Sequence, residues 1–500
     1  MLRRTHLLAA ATALALSFGG MAQAQPATPP AAVGLPADPN LLRWDPSIRY
    51  GVLPNGLRYA VQHNALPKGG VALRLGIGVG SFDEADDERG AAHMIEHLAF
   101  DGTRSFPEHQ LDLIFAPLHV AWARDRTATS DLKATIYQLD LPSTDASELT
   151  TATRWLNDVA ETLTFADPAM ARERASMESE RRGRAADTLR ALRAKMDAFE
   201  DGDLRSAARL PIGTPESLAA LTPARLQSFY DRWYRPDNAV VVMVGDLPID
   251  VLEQKVKATF GDWAPRGSAG IRAPRTPPTS NRAADALVLT EASLPAIAGI
   301  CRVAAPDDVT APSDQRLHTL LLRGLWEAIL QARINTLKSR KDAPFIEATL
   351  NDEVRPDSLK TCFGVIPQPG QEVRAVGMIE AEIRRFAAEG PTEEETDAGL
   401  EQVRASVRGA IASTSHDSRD QAAEILTRGL DNLARLTPRE GLRAFDILME
   451  DTRPATVRAA FARDWSGWGP LAPVSSPKPL AQDALRTAMT GDEYKSTGAK

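Results

Sequence analysis

Short apolar runs alternate along the chain with longer stretches of helical periodicity. Val71 to Val79, Ile136 to Leu141 and Ala239 to Gly245 are short, rich in branched residues and bounded by polar or turn-forming neighbours, so they predict strands. Pro168 to Arg184 has no Gly or Pro between Ala169 and Arg182 and is dense in helix formers, so it predicts a helix. The same alternation returns further on. A strand over Ala296 to Val303 is followed by a long helix from Gln315 to Lys338, a strand near Thr361 to Ile366, and helices from Gln371 to Ala388 and from Thr392 onward. Between the two series, residues 265 to 282 carry four prolines, two glycines and few apolar side chains. Two α+β units in tandem are the expected architecture.

The ends read differently from the middle. Arg3 and Arg4 precede an apolar run from Leu7 to Phe18, and Ala22-Gln23-Ala24 has the small-residue pattern of a cleavage site, so 1–24 is expected to be a signal peptide. Residues 25–40, rich in Pro and Ala, are expected to be a linker. The expected order is then a first unit at 41–264, a linker at 265–284, a second unit at 285–475 and a flexible tail at 476–500. After the first run, no stretch reaches about eighteen uninterrupted apolar residues, so no integral membrane span is expected and the exported protein is periplasmic or secreted. The net charge of −8 gives no basic footprint for nucleic acid. Export makes a disulfide between Cys301 and Cys362 possible; simple core burial in their strand-like runs would serve equally well.

Candidate chemistry is concentrated in His93-Met94-Ile95-Glu96-His97. Two histidines four apart on a helix stand one above the other on one face, the spacing a tetrahedral zinc needs from one segment. Glu96 lies beside the second of them, within reach of a water at the metal, and can act as general base. A catalytic zinc takes three protein ligands, so a third is expected elsewhere. Glu180 is the candidate, with Glu173 seven residues earlier on the same helix face as an acceptor for a histidine ring N–H. Glu178 is the nearest rival but sits on another face. The chain has no G-x-S-x-G elbow, and its two cysteines lack zinc-like spacing.

The chain also resembles the pitrilysin/insulinase family of inverzincin metallopeptidases, which includes the mitochondrial processing peptidases. The resemblance runs through Tyr50 to Tyr59, the stretch 79–108 around the histidine motif, ATIYQLDLP (134–142), ERASMESE (173–180), LPIGTPESL (210–218) and FYDRWYRPDNAVVVMVGD (229–246). It implies one Zn2+ held by His93, His97 and Glu180, with Glu96 catalytic and Glu173 supporting. It implies too that the two units are homologous α/β-sandwich domains, the second inactive, forming half of a clamshell around a peptide substrate. The other half, zinc-less and homologous, would come from a homodimer or heterodimer partner, because the resemblance is closest to the zinc-bearing half of long exported bacterial members. One stretch departs from the family. His119 and Ala123 fall where glycines are usual and Thr127 where Asn is usual, so the strand that pairs with substrate is expected to be reshaped. His119 is also readable as an extra metal ligand, though a lone histidine near a turn is more often a surface residue. The expected function is an exported zinc metalloendopeptidase acting on small or unfolded peptides. The alternative is a catalytically weak binding or assembly subunit of the same fold.

Overall fold

A computed structural model describes residues 42–107, 110–277 and 282–491, without the side chains of 184–186 and 412–413. The segments expected to be a signal peptide (1–24) and a linker (25–40), and residues 492–500 of the expected tail, lie outside the described residues.

Among the described residues the strands form two sheets. The first contains β1 (Ile48–Val52), β2 (Arg58–His63), β3 (Val71–Ile77), β4 (Arg126–Ser130), β5 (Thr135–Leu141) and β6 (Ala239–Gly245), in the order β1-β2-β6-β3-β5-β4. The second contains β7 (Asp285–Thr290), β8 (Ile297–Ala304), β9 (Phe345–Val354), β10 (Leu359–Pro367) and β11 (Trp468–Ser476), in the order β7-β11-β8-β10-β9. Neighbours run antiparallel except β2 with β6 and β7 with β11. With β1 set aside the two orders coincide strand for strand, parallel pair included. The repeat is therefore carried by topology, which needs only the apolar alternation to persist and not residue identity.

The main helices are α1 (Ala91–Leu98), α2 (Ala146–Glu161), α3 (Asp167–Ala186), α4 (Thr188–Asp201), α5 (Pro223–Trp233) and α6 (Ile249–Phe260) in the first series. The second series has α7 (Ser313–Lys338), α8 (Glu372–Glu389), α9 (Glu393–Ser413), α10 (Ser418–Leu430), α11 (Pro438–Leu448), α12 (Pro454–Asp464) and α13 (Gln482–Thr490). None is long and apolar enough to cross a membrane.

Strand β6 shows how the first sheet is held. All seven of its residues are buried. Because successive side chains point to opposite faces, Ala239, Val241 and Met243 enter the core under the first-series helices, while Val240, Val242 and Val244 face the other way. That other face is covered by Ala422, Ile425 and Leu426 of α10, a helix from the second series. Gly76 of β3 permits the approach, since a Cβ there would lie 2.9 Å from Leu426 Cδ1. The exchange is reciprocal. Helix α4, from the first series, lies on the second sheet, where its Phe199 and, just after its end, Leu204 pack with Cys301, Val303, Cys362, Trp468 and Leu471. Buried Lys360 on β10 is held there by Asp197 at 2.8 Å, Glu200 at 2.9 Å and Asp201 at 3.2 Å, all on α4.

Two boundary expectations change accordingly. The segment 265–284 separates the sheets but not the cores, since 41–264 and 285–475 each leave a sheet face for the other to cover. The expected flexible tail contains α13, whose Leu485, Ala488 and Met489 repeat at helical spacing and are buried with the second core. The linker itself is strapped to the first unit: Arg266 pairs with Asp231 at 2.7 Å, and Arg272 pairs with Asp83 at 2.6 Å. Cys301 and Cys362 are partners across β8 and β10 and are joined by a disulfide beneath α4.

Candidate metal centre

Helix α1 begins at Gly90, which adopts a left-handed φ of 88° that favours glycine. It has no Ser or Thr cap. Glu84 fills that role from six residues upstream: its carboxylate accepts the N–H of Gly90 at 2.8 Å and of Ala92 at 2.9 Å. The backbone carbonyl of Glu84 is held in turn by Arg205 at 2.6 Å and Arg209 at 3.0 Å. Burial pushes the Glu84 carboxyl up to about 8. This cap fixes the angle at which the helix presents its histidines, and nothing in the sequence spacing singled it out.

Helix α3 packs beside α1 and brings Glu173 and Glu180, two turns apart, against the histidines. Glu173 Oε2 lies 2.7 Å from His97 Nδ1. Glu180 Oε2 lies 3.6 Å from His93 Nε2 and 3.9 Å from His97 Nε2. The two Nε2 atoms are 3.1 Å apart. Ligands about 2.0–2.1 Å from a tetrahedral zinc are separated from one another by roughly 3.3 Å, so this triangle fits a single ion. Glu178 is turned away into ion pairs with Arg181 at 2.7 Å and Arg182 at 3.7 Å. His119 is not among the groups close enough to share a metal with these residues. Glu200 does lie close to Cys301 and Cys362, but their sulfurs are committed to the disulfide.

Glu96 is buried, and its Oε2 has no hydrogen-bond partner although it lies 3.9 Å from His93 Nε2. Burial raises the carboxyl above its ordinary value, with Ser130 hydrogen bonds and the nearby His97 acting in the other direction. For His97, burial works against the charged ring. The hydrogen bond to Glu173 and the charges of Glu96 and Glu180 outweigh it, so the ring sits above the usual imidazole value. The pocket thus attracts positive charge, and its donors are the two-histidine, one-carboxylate set of a catalytic zinc with one position left open.

Beside the centre, β4 forms the free edge of the first sheet, and Ser130 at its end donates to the Ala92 carbonyl at 3.4 Å. The approach to β4 keeps the backbone of a glycine turn without the glycines: His119 has φ 56° and Ala123 φ 63°. Thr127 follows on β4, half-buried. Sequence reasoning missed the anchor of this region. Buried Arg126 lies 4.9 Å from the Phe115 ring centre, 5.6 Å from Trp122 and 5.7 Å from Phe100, and pairs with Asp112 at 2.5 Å.

Residues 59–206 match the insulinase (peptidase family M16) profile, and residues 220–403 match the peptidase M16 inactive domain. The chain belongs to the insulinase family. Over 226 residues it is 38% identical to the probable zinc protease PqqL of Haemophilus influenzae, covering 45% of this chain and 24% of that protein. Its fold superposes on the periplasmic protease PqqL from Escherichia coli with a TM-score of 0.78 at 23% identity, over 92% of this chain and 51% of that one. The first half of that protease, solved separately, gives 0.78 at 22% identity over 92% of this chain and 99% of the other. This insulinase-family chain therefore spans about half the length of the full-length protease it resembles. It is a tandem of two family domains in a zinc-protease family.

Proposed function

We propose that this chain is an exported zinc metalloendopeptidase subunit that hydrolyses peptide bonds in small or unfolded peptides. The observation that carries this reading is the convergence of His93, His97 and Glu180 beside a buried Glu96 oxygen that no neighbouring group claims. Zinc held by those three residues supplies polarisation of the scissile carbonyl and acidification of water. Glu96 removes a proton from the attacking water and delivers it to the leaving amine, a role suited to a carboxyl whose proton affinity burial has raised. Glu173 accepts the Nδ1 proton of His97, which fixes the tautomer and leaves the Nε2 lone pair pointing at Glu180 and His93. The open edge of β4 offers backbone donors and acceptors to an extended peptide.

The reading places a zinc-less homologous half opposite this one, contributed by a second copy or a homologous chain, and places the protein in the periplasm or outside the cell. Its likeness to one half of a periplasmic protease supports both points. The competing reading, a binding or assembly subunit with little turnover, is motivated by His119, Ala123 and Thr127. The left-handed backbone kept at His119 and Ala123 preserves the turn that glycines would make, which favours the peptidase.

Mass-spectrometric cleavage of an unstructured peptide pool by the zinc-loaded protein, with Glu96→Gln alongside, tests the proposal. Cleavage by the wild type that falls by about 10²-fold or more in the variant is expected. Cleavage by neither protein supports the binding subunit or a peptidase that needs its other half, which adding the homologous chain separates, and equal cleavage by both removes Glu96 from the chemistry.

A further inference from the structure

A cavity of about 650 Å³ opens where the two units meet, away from the three candidate zinc ligands. Its wall combines Arg58 at the start of β2, Lys133 in the β4–β5 turn, Arg272 and Arg275 from the interdomain strap, and Asp431 and Asn432 just after α10. Of its three carboxylates, Asp431 leaves one negative charge facing the cavity and the other two are already committed. Asp83 pairs with Arg272 at 2.6 Å, and Asp237 pairs with Arg235 at 3.1 Å. Arg58, Lys133 and Arg275 have no carboxylate at ion-pairing distance among the described residues. Among the described residues the Arg58 guanidinium donates to the Gly429 carbonyl at 2.8 Å and to Asn432 Oδ1.

The cations also crowd one another. Burial, with Arg272 adding to it, holds the Arg58 guanidinium below its usual value. Arg316, on α7 and bonded to the Asp431 carbonyl at 3.0 Å, is lowered mainly by burial, against the pull of Asp431 and Asp307, with Arg275 adding to the lowering. Gly78 also lines the cavity, and a Cβ there would press on Asn238 Oδ1 at 2.9 Å and Arg272 Nη2 at 3.4 Å. In a chain of net charge −8, a concave site that gathers uncompensated cations from both units concentrates anions locally.

The geometry points to a binding site for a small multivalent oxyanion, phosphate or carboxylate, held between Arg58, Lys133 and Arg275. Guanidinium groups pair with either chemistry in the same forked geometry, and the cavity volume is in the range of small-molecule sites. The inference is independent of the peptidase reading, because none of these residues belongs to the candidate zinc centre.

Calorimetric titration of the full chain with pyrophosphate, and separately with tricarballylate, tests it at fixed ionic strength on metal-free protein, so that the probe competes with nothing for zinc. At least one probe is expected to saturate a single site at millimolar concentration or below. The Lys133→Ala/Arg275→Ala double variant removes two exposed side chains that hold no other element in place. It is expected to weaken binding tenfold or more with an unchanged thermal midpoint. Preference for pyrophosphate identifies a phosphate ligand, and preference for tricarballylate a carboxylate one. No saturable binding of either probe, or binding that the double variant leaves intact, overturns the assignment.

Discussion

The two units place a helix after corresponding strands and use it in opposite ways. In the first sheet α1 follows β3 and presents His93, Glu96 and His97, with an oxygen of Glu96 left unbonded. In the second sheet α7 follows β8 and carries Arg323, Trp326 and Glu327 at the same spacing of three and four. Arg323 is buried and joined to Asp307 at 2.6 Å and Asp464 at 3.3 Å, and the indole N–H of Trp326 donates to Asp464 at 3.0 Å. Burial and the nearby Asp352 keep Glu327 well above the usual carboxylate range. The first unit keeps an acidic, cation-attracting pocket open; the second fills its own with a permanent guanidinium. One topology supports a metal centre or a closed ion-pair cluster, depending on whether the positive charge comes from solution or from the chain.

This contrast can be broken from either side. The largest effect on stability is expected from Arg323→Ala, which leaves half-buried Asp307 without its partner and buried Asp464 with only Arg463 and the Trp326 N–H, and costs about 3–5 kcal/mol in urea unfolding, with zinc content unchanged. Leu426→Ala, which opens a cavity where α10 crosses to the first sheet, is expected to cost about 2–5 kcal/mol. Glu84→Ala removes the cap of α1 and is expected to cost about 1–3 kcal/mol; unlike the previous two it also weakens zinc binding, because it loosens the helix that presents both histidines. Ala123→Gly relieves a left-handed residue and is expected to stabilise the protein by about 1 kcal/mol in the same measurement.

Buried Glu380 makes the stability of the second unit sensitive to pH. Burial pushes its carboxyl up to about 7, against the pull of Arg302 and Arg384. The folded protein therefore keeps a proton that the unfolded chain releases above its ordinary value of 4.5. Stability is lost as pH rises through that window and is level beyond it. Thermal midpoints between pH 5 and 8 are expected to fall less steeply in Glu380→Gln than in the wild type, and parallel profiles would remove Glu380 as the cause.

Much of this was readable in the sequence because it is local. Val71, Thr135 and Ala239 start strands within a residue or so of the expected positions, since alternation and bounding turns act over a few residues. Glu173 and Glu180 share a face because a helix returns after seven residues, and the same arithmetic turned Glu178 elsewhere. What stayed hidden depends on distant chain. The crossing of α4 and α10 is decided by which apolar face meets which sheet, and α13 is too short to stand out from a polar C-terminal stretch. Glu84 looks like one acid among several in DEADDERG until the fold buries it beneath α1. The left-handed turn at His119 and Ala123 is imposed by surrounding structure against residue preference.

Metal analysis of the purified full chain beside Glu180→Gln and Glu178→Gln tests the central claim most directly. One zinc per chain is predicted in the wild type and in Glu178→Gln, and a loss of most of it in Glu180→Gln. Zinc retained in Glu180→Gln, or lost in Glu178→Gln, would contradict the assignment of the third ligand and the site built on it.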